Sequence, residues 1–197
     1  MAKHDKRPGK DHVDRLQRQG RQQRRDAFGV RPVPGRPGEL ELVEPPCVRQ
    51  RREDMEEVRV MLEAGEIDVA ADELLWLLSG CDVLLEGHKL LGEIALADDD
   101  LELARGHFGY AYELGLGALG KGVGGVLPYA RPANQPFFEA GKGLAFCLKQ
   151  QGEVGLAVEV VERLLNLDPS GPLGLREMRE ELRKQSQSSS PSERGLT

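Results

Sequence analysis

LGEIALADDDLELARGHFGYAYEL, residues 91–114, is the stretch that decides the fold of this chain. Residues three and four apart share one side of a helix, and Leu91, Gly92 and Ala95 have that spacing. Asp98, Asp99 and Asp100 interrupt the apolar pattern and mark a turn. Ala104, Phe108 and Ala111 repeat the spacing on a second helix, whose start is acidic, where exposed N–H groups and the helix dipole favour negative charge. Small residues among large ones imply close contact between the two helices. Backbones approach only where Gly or Ala faces the partner, and Phe108 fills the gap beside them.

Outward from this hairpin the same triplet recurs twice, and a repeat decides a fold before any local pattern does. Ala70, Leu74 and Leu77 stand 34 residues before Ala104, Phe108 and Ala111, with Gly65 in the turn where Asp99 stands. Ala157, Val161 and Leu164 stand 53 residues after them, which is one 34-residue period plus 19. The first helix of that copy supplies Leu144, Ala145 and Leu148, its turn is Gly152, and the unit ends on Pro169.

A helix-turn-helix of 34 residues with this small-and-large pattern resembles the tetratricopeptide repeat family over about residues 51–169. The best copy is LAFCLKQQGEVGLAVEVVERLLNLDP, with Ala145, Gly152, Ala157 and Pro169 at the family's positions. The chain departs from the pattern at Leu116, where the second copy lacks the closing Pro, and at Glu57, where the family has a large apolar residue. The resemblance implies an all-α fold, a short right-handed α-solenoid of stacked helical hairpins. Its repeats would span about 51–81, 85–115 and 138–169, with an insertion at 116–134 and a capping helix at 172–184. By the family's register the concave groove would display Arg59, Lys89, Leu90, Glu93, Lys142, Phe146 and Lys149. Where chaperone-binding members grip a terminal carboxylate, this chain has Met55, Arg59, Leu90, Glu139 and Gly143, so that clamp is absent.

Composition agrees with packed helices. Aromatic residues are only 5% of the 197, so the core falls to Leu, Val and Ala. No run of 18 apolar residues exists, and residues 1–26 lack the apolar centre of a secretory signal, so a cytoplasmic location without membrane contact is expected. Cys47, Cys81 and Cys147 are far apart and odd in number, and the expectation is reduced, structural thiols. Trp76 lies in a predicted helix and reads as a packing residue.

Charge is segregated along the chain. Residues 1–37 hold 11 Lys and Arg against 4 Asp, whereas residues 38–197 hold 16 against 29 acidic residues. The basic segment has few apolar residues to bury and is expected to be disordered, with residues 1–45 forming an arm and linker. It reads as a solvated leader, or as an arm for nucleic acid with Arg15, Arg18, Arg21, Arg24 and Arg25 as contacts. In the linker, Leu40 and Leu42 alternate as a short strand would, until Pro45 and Pro46 stop it. Residues 185–197, rich in Ser, read as a disordered tail.

The insertion GALGKGVGGVLPYARPANQ is rich in Gly and Pro and reads as a loop, or a loose extension of the preceding helix, folded back onto the hairpin ends. Tyr129, Arg131, Asn134 and Phe137 are its candidate contact residues. Gly115, Gly120 and Lys121 have the spacing of a phosphate loop, but Gly122 replaces the Ser or Thr such a loop needs and a helix precedes it. The histidines form no metal spacing, and His88 and His107 fall on different helices of one hairpin, where contact between them would be incidental. Asp98 to Asp100 lack the Gly and distal Glu of a calcium loop. The chain therefore reads as a non-catalytic scaffold, without cofactor or metal, holding an unidentified protein, or an acidic or amphipathic peptide, in its groove. Action on nucleic acid or the ribosome through residues 1–37 is the alternative, and a homodimer remains open.

Overall fold

The computed structural model describes residues 28–120 and 124–188, and these are predominantly helical. A two-stranded antiparallel hairpin comes first, β1 (Gly29–Pro32) with β2 (Leu40–Val43). Helices follow as α1 (Pro46–Gln50), α2 (Arg52–Glu63), α3 (Ile67–Gly80), α4 (Leu85–Ala97) and α5 (Leu101–Leu119). After the insertion come α6 (Gln135–Gln150), α7 (Val154–Leu167) and α8 (Leu175–Ser188).

Three pairs, α2–α3, α4–α5 and α6–α7, close with one turn geometry. Gly65, Asp99 and Gly152 take positive φ of 79°, 61° and 80°. The next N–H reaches back five residues in each case, from Glu66 to Met61, Asp100 to Ala95 and Glu153 to Leu148, all at 2.9 Å. This is the left-handed closure that satisfies the last carbonyls of a helix, natural for Gly and tolerated by Asp. Asp100 then caps α5 by accepting the Leu103 N–H at 3.0 Å.

Packing follows the small residues. All nine triplet positions, from Ala70 to Leu164, are buried. Phe108 is held between two glycines: a Cβ on Gly92 would come within 2.8 Å of its ring, and one on Gly143 within 2.7 Å. Each helix from α2 to α8 packs against the next, and α4 also meets α6. Glu57, the departure from the repeat pattern, is exposed, while Met55 and Val58 carry the contact of α2. At the far end Leu175 and Leu182 of α8 are fully buried against α7 and its neighbours.

Three expectations are corrected here. Residues 28–45, expected to be part of a disordered arm and linker, are packed instead, while residues 1–27 lie outside the described residues: Phe28 and Val30 pack on the core, and Leu40 and Leu42 are buried. The hairpin is stable because the insertion completes it. Leu40 N–H donates to the Val126 carbonyl and Val126 N–H to that of Gly38, both at 2.8 Å. Buried Asn134 accepts the Leu42 N–H at 2.9 Å and donates to the carbonyls of Leu40 (3.2 Å) and Pro128 (2.9 Å). A side-chain amide thus takes the place of a third strand, and the insertion is a packed element from Val126 onward.

The cysteines are the second correction. Cys47 and Cys81 form a disulfide, their Cα atoms 5.8 Å apart, because α1 is laid against the end of α3. Cys147 is the free, buried thiol, and burial pushes its pKa up. Trp76 is the third: it is 58% exposed, with the Arg51 guanidinium 5.1 Å from its ring centre.

Candidate functional site

Ion pairs join the first helices of successive pairs, α2 to α4 and α4 to α6, and the latter two also pack together. Arg59 on α2 makes a two-pronged contact with Glu86 on α4, at 2.8 and 2.9 Å, and also pairs with Glu56. Lys89 on α4 pairs with Glu93 on its own helix (3.2 Å) and with Glu139 on α6 (3.4 Å). Lys149 on α6 reaches Glu181 on α8 at 2.7 Å. Each of these cations thus meets a carboxylate on the helix two further along the chain, although the three stand at different positions of the repeat.

Of the expected groove residues, Arg59, Lys89 and Lys149 are therefore committed to partners within the chain, and Lys89 is only 12% exposed. Leu90 is buried and belongs to the core rather than to an open surface. Glu93 is exposed, and partial desolvation holds its carboxyl above the usual range, with Lys89 pulling it down and Glu139 and Glu86 pushing it up. Lys142 and Phe146 are both exposed and one turn apart on α6, and Lys142 makes no ion pair among the described residues. Of the residues expected to line a groove, these two are left exposed without an ion pair among the described residues.

The insertion candidates divide in the same way. Asn134 and Phe137 are fully buried, so neither is available for contact. Phe137 lies against Gly115, where a Cβ would come within 2.1 Å of its ring, which is the structural reason for the glycine that mimicked a phosphate loop. Tyr129 donates its O–H to Glu139 at 2.9 Å, and burial followed by this carboxylate pushes the phenol up to about 12. Arg131 pairs with Glu39 at 3.1 Å. Arg15, Arg18, Arg21, Arg24 and Arg25 lie outside the described residues.

A cavity of about 660 Å³ opens where the hairpin meets α1 and α2. Leu42, Val48, Met55 and Leu84 floor it, and Arg31, Arg49, Arg52 and Arg59 rim it beside Glu41, Glu44 and Glu56. No pattern in the sequence marks it, since it exists only because the hairpin folds back.

His88 and His107 do meet, and their contact is specific rather than incidental. His88 Nε2 lies 2.9 Å from the Asp82 carbonyl oxygen, an acceptor only, so this nitrogen carries the proton. His88 Nδ1 must then accept, and His107 Nδ1 donates to it across 3.2 Å. Burial lowers both pKa values, and for His88 the charge of His107 adds to the effect. Among the described residues no group of three or more His, Cys, Asp or Glu is placed to hold a metal, and no helix is long and apolar enough to cross a membrane.

Fold and site together define a predominantly helical protein of consecutive helical hairpins with a β-hairpin packed onto the core formed by α4 to α8. No family model matches the chain, and no curated protein matches it.

Proposed function

We propose that this chain is a non-catalytic interaction scaffold, a short right-handed α-solenoid of tetratricopeptide type, holding a partner along the row of first helices α2, α4 and α6. The observation that carries the reading is the pairing of exposed, unpaired Lys142 with exposed Phe146 one turn away, beside helices braced by ion pairs. A braced row costs little ordering on binding, and a cation next to an aromatic suits an extended or helical peptide with alternating acidic and apolar residues.

Panning a peptide library against the full chain tests this. Acidic, apolar peptides should be enriched, and Lys142→Glu or Phe146→Ala should weaken them about tenfold or more, the loss typical of a contact that matters. Binders indifferent to both substitutions would refute it. Nucleic acid through residues 1–37 is the competing reading, and a chain beginning at Phe28 separates the two. It keeps the hairpin and loses Arg15 to Arg25, so peptide binding should survive intact.

A further inference from the structure

Helix α3 carries more apolar surface than its fold consumes. Its run Leu74–Leu78 covers every side of the helix, since successive residues turn by about 100°. Leu74 and Leu77 are fully buried, while Leu75 and Trp76 are 54% and 58% exposed and Val69 is 53% exposed. Four of the nine large apolar residues exposed among the described ones lie on this single helix. Asp68 and Asp72 mark the N-terminal half of the same face, and Arg51 marks its C-terminal end over the Trp76 ring.

We infer that this face is a docking surface for a second copy of the chain, with α3 packed antiparallel on its twin about a two-fold axis. The arrangement is self-complementary, as a closed dimer requires. Antiparallel packing lays Trp76 and Arg51 of each copy beside Asp72 and Asp68 of the other, so every contact occurs twice. The Cys47–Cys81 disulfide and the pairing of Arg51 with Asp54 at 3.3 Å hold the guanidinium against the end of α3, so the second copy meets a basic group that already has one carboxylate beside it. A pre-set Arg stacked on an exposed Trp is the kind of anchor that dominates interface energies.

Sedimentation of the full chain across micromolar concentrations is the test. The dimer should form, and Trp76→Glu should raise its dissociation constant about a hundredfold or more, within the range for anchor residues, with helix content unchanged because the side chain is exposed. Arg51→Glu alone and Asp68→Lys with Asp72→Lys alone should each be monomeric. Mixed together they should pair, since both sets of contacts are then restored in the heterodimer. A wild-type monomer at every concentration, a dimer that survives Trp76→Glu, or variants that fail to pair would overturn the inference. Trp76 is the only tryptophan, so its quenching reports on this face alone. A monomer whose Trp76 is shielded until residues 1–27 are removed would assign the face to the chain's own N-terminus and overturn it equally.

Discussion

Glycines in equivalent helical settings have opposite roles here, and substitution separates them. Ala exceeds Gly in helix propensity by about 1 kcal/mol. At Gly106 and Gly117 a Cβ would meet nothing within 4 Å, so Gly106→Ala and Gly117→Ala should each stabilise by up to about 1 kcal/mol. At Gly115 the Cβ would lie 2.1 Å from a buried Phe137 ring, and overpacking of roughly 1–3 kcal/mol outweighs the propensity gain. Chemical denaturation of the three variants should give two increases and one loss. The histidine pair gives a pH dependence of known sign. Both folded pKa values lie below the usual 6.5, so protons bind the unfolded chain more readily. Their contribution is complete above 6.5 and is lost as pH falls from there through the lower folded values. The melting temperature should drop between pH 7 and 5, and His107→Asn should flatten that slope. The triplets and Phe108 were legible because burial in a helix has a period. The contact of His88 with His107 was not, since it depends on rotamers across a hairpin.

Among elements, the β-hairpin is held by contacts remote in sequence, which is why its stability was missed. Leu40 and Leu42 announced a strand, but a two-stranded ribbon is marginal alone, and Asn134, some ninety residues away, completes this one. Asn134→Ala should strand the buried Leu42 N–H at a cost of about 2–4 kcal/mol for the lost bonds and desolvated groups. Hydrogen exchange should speed up at residues 39–43 and 126–128 while α6 and α7 stay protected. Cysteine pairing was equally hidden, because spacing alone cannot reveal that α1 returns to the end of α3. The Cys47–Cys81 bond, between residues 34 apart, closes a loop containing all of α2 and α3. Reduction or Cys47→Ser should lower stability by about 2–4 kcal/mol, the range for such a loop. Alkylation before reduction should label one thiol after unfolding, and three would show the bond absent. Such a bond persists in oxidising surroundings, which sets it against the cytoplasmic location expected from the sequence.

At the scale of the whole molecule the cations along α2, α4 and α6 have two distinct tasks, and charge reversal tells them apart. Register along a helix identified Arg59, Lys89, Lys142 and Lys149 as one set facing one way. It did not show that acidic residues on the neighbouring helices claim three of the four, because partners across a seam are set by packing. Lys89 sits almost out of solvent between Glu93 and Glu139, two carboxylates that already repel. Lys89→Glu would remove their cation and add a third negative charge, and for carboxylates that stay half and a third exposed the cost falls between about 1 kcal/mol for an open pair and about 3 kcal/mol for a buried one. Lys142 has no such partner, so Lys142→Glu should leave stability within about 0.5 kcal/mol, as at other open surface sites. Thermal melts should therefore show a drop for the first variant and none for the second. A loss of peptide binding in Lys142→Glu then reports on the surface itself, whereas the same loss in Lys89→Glu reports only that α4 and α6 have come apart. Equal stability of the two variants would mean that the seams are held by apolar packing alone.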